Sequence, residues 1–268
     1  MNKRTIYSVL AIVVLIGVFG YEYILKSNEA SETVAQGQII KPETNAHFLP
    51  TSTTGQIVYH QGYTLSYSEP NEQAEWVAYE LKKADLKKTN FKRPYFEIDE
   101  AVKTGAAHWR NYKGSGYDRG HLCPAADRRY TKALHDETFL TSNISPQLHD
   151  FNAGIWNTLE QKVRYWADKY DGVYVVTGGI LKGNMATIGT EGVSVPNQFY
   201  KILIDYNAAQ PKMIAFLMPH KNTHDPLYKF VVSVDSIEVL TGIDFFPSLE
   251  DGLENQLEAM NSYKGWSF

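Results

Sequence analysis

The clearest helical period in this chain lies between Asp150 and Tyr170, in "DFNAGIWNTLEQKVRYWADKY". Phe151, Ile155, Leu159, Val163 and Trp166 or Ala167 recur at the spacing that lays one apolar stripe along a helix. Asp150 opens the segment and Lys169 sits in its last turn, as the helix dipole favours; Gly172 then ends it. The other apolar runs have a different character. "QIVYHQGYTLSYS" (56–68) alternates, is rich in Tyr and Val, and predicts a hairpin. "GVYVVTGGI", "FYKILIDY" and "KMIAFLMP" read as buried strands. "EWVAYELKKADL" fits a short helix or a strand turning into one. "DETFLTSNISPQ" fits a short strand that ends near Asn143, with Pro146 as a stop. One long helix among mixed strands gives an α+β class with mixed α/β layers. The 268 residues, 43% of them hydrophobic, suffice for one large domain or two small ones with a sizeable core.

The N-terminus constrains topology. Lys3 and Arg4 precede an uncharged run from Thr5 to Tyr21, and "YIL" extends it to Leu25 after Glu22. At about 1.5 Å per residue, such a helix just matches a hydrocarbon core of roughly 30 Å. No A-x-A cleavage pattern follows, so residues 1–25 read as an uncleaved signal anchor, with the membrane crossed through residues 5–25. The cationic start stays in the cytoplasm. The expected location is therefore the cell membrane, single-pass, with the rest of the chain outside the cytoplasm, or exported if the signal is cleaved. Residues 26–54 are polar and read as a tether. Residues 55–268 form the expected globular domain. The lone cysteine, Cys123, excludes an intrachain disulfide and a Cys-based zinc site, and reads as a small apolar filler.

"YDRGHLCPAAD" (117–127) crowds Asp118, Arg119 and His121 around Gly120. Phosphodiester hydrolysis asks for a base that takes a proton from water, cations that match the charge on phosphorus, and a stabiliser for the leaving oxygen. A neutral imidazole, with an ordinary pKa of about 6.5, is a good base near neutrality. Arg119 can hold phosphate oxygens in a fork. Gly120 would let the backbone pass close to a substrate. The helix offers a metal site: Asn152 in its first turn and Glu160 two turns on. In an unbroken helix these are about 12 Å and about 80° apart. Asn152 then suits a direct ligand, and Glu160 one bound through an ion-coordinated water, around a magnesium-like ion that keeps most of its waters.

These segments resemble the DNA/RNA non-specific endonucleases, the ββα-metal nucleases that include mitochondrial endonuclease G. The resemblance covers roughly Gln56 to Leu249 and rests on "DRGHLCPAAD", "TFLTSNISPQ", "FNAGIWNTLE", "VPNQFYKILID" and "IEVLTGIDFFPSL". It implies a ββα-metal nuclease fold with a central antiparallel sheet, and a metal-dependent endonuclease of low sequence specificity acting on DNA and RNA, leaving 5′-phosphate and 3′-hydroxyl ends. It makes His121 the general base, Asn152 the Mg2+ ligand and Glu160 the carboxylate that fixes metal-bound water. Arg119 becomes the arginine beside the base, Asn143 a catalytic asparagine on the second strand, and Arg93 an upstream phosphate-binding arginine. Mn2+ or another divalent ion would also fit. Asp118 is expected to pin the loop or pair with an arginine. His220 stands where the family pattern has Asn, and Cys123 where a small residue such as Ala is usual. Basic residues gather in 82–93 and 103–132 of a chain whose formal net charge is −4, as a backbone-reading groove requires. Two rival readings remain: a non-catalytic surface protein for nucleic-acid binding or uptake, and a metal phosphoesterase on small nucleotides. The sequence leaves open the oligomeric state and any inhibitor protein.

Overall fold

A computed structural model describes residues 48–268 apart from residues 88 and 208–209. The chain runs β1 (Ile57–Tyr59), β2 (Thr64–Ser68), β3 (Gln73–Leu81), β4 (Asp118–His121), α1 (Lys132–Glu137), β5 (Ile144–Gln147), α2 (His149–Phe151) and α3 (Asn157–Lys169). It continues through β6 (Val173–Gly179), β7 (Ala186–Ile188), β8 (Val193–Val195), β9 (Gln198–Asp205), β10 (Lys212–Pro219), β11 (Val231–Val232), α4 (Val234–Thr241) and α5 (Asp251–Glu258). A seven-stranded sheet has the order β1-β2-β3-β6-β9-β10-β11, and each neighbouring pair is antiparallel.

Both faces of this sheet are covered, which explains why its strands read as continuous apolar runs rather than alternating ones. On one face Leu159, Val163 and Trp166 of α3 pack with Val77, Val175, Leu203 and Phe216. On the other, Ile202, Ile204, Met213 and Ala215 meet Val234 and Ile237 of α4 and Leu257 of α5. Each fully buried Leu or Val contributes roughly 1.5–3 kcal/mol relative to exposure. The α+β expectation holds, with the central sheet antiparallel. "EWVAYELKKADL" resolves into the end of β3 and one 3₁₀ turn, Lys83–Asp85.

Three expectations are corrected. Pro146 does not stop a strand; it lies within β5, opposite Arg119. The two-stranded β4–β5 ribbon tolerates it, because a proline is costly only where its missing N–H would face a partner. The long helix is broken rather than continuous: Asn152–Trp156 forms a π-turn in which Gly154 leaves helical geometry (φ −96°, ψ −112°). The segment up to residue 54, read as tether, is already part of the domain from residue 48. Phe48 and Leu49 pack on the α4–α5 side of the sheet. Thr51 N–H donates to the Asp244 carbonyl at 2.8 Å, and Thr53 N–H to Glu75 Oε1 at 2.9 Å. The anchor expected in residues 5–25 lies outside the described residues, among which no helix is long and apolar enough to cross a membrane.

Candidate active site

β4 pairs antiparallel with β5, His121 opposite Ile144 and Asp118 opposite Gln147, and the chain then enters α2 and α3. This is a two-strand-plus-helix unit. Alternation along β4 sends Arg119 and His121 to one face of the ribbon, and Asp118 and Gly120 to the other. A Cβ on Gly120 would lie 2.1 Å from Gln147 Oε1, so this glycine makes room for a side chain of the same ribbon. That corrects the expectation that it exists for substrate approach.

On the first face the cations gather around aromatic rings. The His121 imidazole lies 5.6 Å from the Phe96 ring and 4.9 Å from Phe139, edge-on to the latter. The Arg93 guanidinium sits over the same two rings at 5.4 and 5.3 Å, and Arg119 sits 5.3 Å from Phe96. Arg119 also donates to the Trp109 carbonyl at 3.1 and 3.3 Å, which fixes its fork. Burial, then the charges of Arg93 and His135, push the His121 pKa down to about 3. The ring is therefore neutral at physiological pH. Its Nε2 is buried without a hydrogen-bond partner, so the nitrogen a solvent molecule can reach is Nδ1.

Asn143 departs from its expected place. It is fully buried, accepts from Cys123 N–H at 2.8 Å, and donates to the carbonyls of Cys123 (2.9 Å) and Thr138 (2.8 Å). Both N–H groups of the carboxamide and its oxygen are thus engaged with backbone. This residue is a clamp on the loop that follows His121, not a group presented to a substrate.

Asp118 organises the polar groups at the start of the helix. Asn152 Nδ2 donates to Asp118 Oδ2 at 3.0 Å, and His149 Nδ1 lies 2.9 Å from the same oxygen. Asp118 thus pins the helix start, as a structural role for it required, but through Asn152 and His149 rather than an arginine. An ionised carboxylate only accepts, so the amide nitrogen of Asn152 must face it and Oδ1 is left over. Among the described residues nothing donates to that oxygen. His220 supports the same turn: its Nε2 accepts from Leu148 N–H at 2.7 Å, and its Nδ1–H donates to the Pro196 carbonyl at 2.9 Å.

Glu160 belongs to a third group. Its carboxyl shares the α3 face of the sheet with Lys201, Asp127 and Arg164, and burial raises its pKa against the opposing pull of Lys201. Asp127 accepts from Arg164 at 2.8 Å and from the Tyr79 hydroxyl at 2.9 Å. Lys201 is fully buried, with Nζ 4.8 Å from the Trp156 ring and no hydrogen-bond partner; burial lowers its pKa. The 80° offset of an unbroken helix does not carry across the π-turn between Asn152 and Glu160, since one inserted residue alone takes up about 100° of rotation.

The structure thus brings Arg93, Arg119 and His121 together and ties Asn152 to the same strand. It sets Glu160 in the Lys201 group and withdraws Asn143. Phe96, Phe139, Trp109, His220, Arg164 and Lys201 were not singled out for the site by the sequence reading. Two of them carried a signal there: Lys201, as a lone charge inside the apolar run "FYKILIDY", and His220, as a departure from the family pattern. From the basic runs, Arg128 proves structural: it is buried and donates to the carbonyls of Gly62, Asp127 and Glu80.

A family model for DNA/RNA non-specific endonucleases matches residues 41–252. The chain belongs to that family. Human mitochondrial endonuclease G is 32% identical over 209 residues, covering 72% of this chain and 70% of that protein. A nuclease of Nostoc sp. (strain PCC 7120) is 28% identical over 242 residues, covering 82% of this chain and 87% of the relative. Among solved structures, that of the EndoG/EndoGI complex superposes with a TM-score of 0.69 at 31% identity, covering 72% of this chain and 86% of that one. The fold of this endonuclease is EndoG-like, and nucleic acid is the substrate class of its family. The family is metal-dependent, and the residues fit a hard divalent ion: Asn152 Oδ1 is an oxygen donor freed by the Asp118 bond, with carboxylate charge beside it.

Proposed function

We propose that this endonuclease hydrolyses phosphodiester bonds of DNA and RNA with little sequence preference, using His121 as general base and Asn152 as the ligand of a Mg2+ ion. The observation that carries the reading is a neutral imidazole, held by packing alone, beside two guanidinium groups. His121 Nδ1 takes the proton of the attacking water. Arg119, its fork fixed by Trp109, and Arg93 balance the charge that builds on the non-bridging oxygens. The P–O3′ bond breaks, the downstream fragment keeps the phosphate on its 5′ oxygen, and the 3′ oxygen of the upstream fragment leaves as a hydroxyl after taking a proton from solvent. A divalent ion bound at Asn152 would supply positive charge next to that oxygen. Asp118 holds the carboxamide in register, and Glu160, balanced by Lys201 and Arg164, supplies carboxylate charge behind it. Low specificity follows because every group named addresses phosphate.

The test is digestion of supercoiled plasmid and of a structured RNA by the full chain, with and without chelator. Cleavage of both, abolished by chelator and restored by Mg2+, is expected; binding without cleavage would leave the uptake reading, and hydrolysis of dinucleotides alone the phosphoesterase reading. The proposal extends to two partners. A protein inhibitor fits this endonuclease because a solved relative, EndoG, is held in complex with EndoGI, which inhibits it. Residues 5–25 would place the enzyme at the membrane with its domain outside the cytoplasm, which protease accessibility on intact cells would check.

A further inference from the structure

On the sheet face away from α3, five carboxylates face one another without a cation. Asp235 and Glu238 lie three apart on one face of α4, and Glu254 and Glu258 lie four apart on α5. One oxygen each from Asp235, Glu238 and Glu258 lies within 4.8 Å of the other two. Asp244, in the loop after α4, and Glu254 add their charge to the same place. Among the described residues, no Lys, Arg or His forms an ion pair with any of the five.

Exposed acids often cluster with no ligand, but Glu258 is not exposed. It is only 6% accessible, and its Oε1 is enclosed without a hydrogen-bond partner, as is Glu254 Oε1. An ionised carboxylate buried next to two others is strongly unfavourable, so Glu258 must either hold a proton or share a cation with its neighbours. Its position makes this worse, because Glu258 ends α5, where the helix dipole repels an anion. We propose that Asp235, Glu238 and Glu258 bind a calcium ion that locks α4 to α5. Oxygens no more than 4.8 Å apart are close enough for one ion to draw on all three, and calcium, with bonds of about 2.3–2.6 Å and six to eight oxygen ligands, suits such a set better than magnesium, which demands near-ideal octahedral geometry at about 2.0–2.1 Å. Calcium also accepts irregular geometry, so water and Asp244 or Glu254 can complete the shell. This site is separate from Asn152, which lies on the helical segment packed against the opposite face of the sheet.

Thermal unfolding of the full chain in chelator and in millimolar CaCl2 tests this, with an Asn152→Ala background to remove calcium held in the catalytic cleft. Calcium is expected to raise Tm by on the order of 5 °C in that background. Glu258→Gln and Asp235→Asn should each abolish the shift, and Glu258→Gln should be at least as stable as the parent in chelator. Absence of any calcium shift in the Asn152→Ala chain would overturn the proposal, as would an equal shift in both variants. An equal response to the same concentration of MgCl2 would overturn the choice of calcium. Should Glu258→Gln fail to fold, Asp235→Asn alone decides, since Asp235 is exposed.

Discussion

Among the described residues, no carboxylate is hydrogen-bonded to His121. Two phenylalanine rings and burial hold the imidazole, and Arg93 and His135 set its charge environment. The groups that do the chemistry and the groups that hold them are therefore separable by mutation. Asn143→Ala should destabilise by on the order of 2–4 kcal/mol, because it orphans a buried N–H and two buried carbonyls; urea denaturation measures this. Asp118→Ala should keep the fold and weaken metal dependence, raising the Mg2+ concentration for half-maximal cleavage by roughly 10–100-fold. The residue types at the centre of this site were legible in the sequence, since an imidazole, a guanidinium and an acid within four positions suit few structural purposes. Asn143 was not. A carboxamide that clamps backbone and one that touches substrate are the same letter, and only its burial separates them. Lys201 and the phenylalanine pair escaped because their company comes from distant strands and loops.

At the scale of elements, the apolar stripe of Asp150–Tyr170 located the helix because burial follows spacing whether or not the hydrogen bonds are regular. The π-turn at Asn152–Trp156 stayed hidden for the same reason: Phe151, Ile155 and Leu159 are all buried despite it. The break matters for function, since it decouples the direction of Asn152 from the face that α3 packs on the sheet. The β4–β5 ribbon is the other element that sequence periodicity could not show. Its four-residue strands are polar and one contains a proline; Asn143 clamps the loop after β4, and Gln147 fills the space beside Gly120. Gly120→Ala tests how tight this ribbon is. The added methyl would lie 2.1 Å from Gln147 Oε1, so the strands must part or Gln147 must leave its place. A loss of about 1–3 kcal/mol in a denaturant melt is expected, with reduced cleavage as His121 shifts.

For the whole molecule, buried histidines set the pH range of stability. His60 lies between Asp99 (2.8 Å) and Glu137 (3.6 Å). Burial opposes its charge, but the hydrogen bonds and charges of those two carboxylates prevail and raise its pKa to about 9. Its contribution is complete below about 6.5, the unfolded value, and is lost as pH rises through about 9. His121, pushed down to about 3, acts in the other direction: its neutral burial is favourable above about 6.5 and costs stability as pH falls toward 3. Glu160 and Glu258, whose pKa values burial raises, add to the alkaline loss, so His60→Ala should remove only part of the alkaline limb while costing about 3 kcal/mol at neutral pH through the unpaired Asp99. Denaturation midpoints measured across pH would show it.

The central claim is that His121 is the base and acts on substrate held by other groups. Its most direct test compares His121→Ala with the parent on supercoiled plasmid in Mg2+, reading cleavage rate and DNA affinity together. Cleavage slower by on the order of 10²–10⁴, with folding and affinity unchanged, is the expected result. Cleavage at the parental rate would contradict the account.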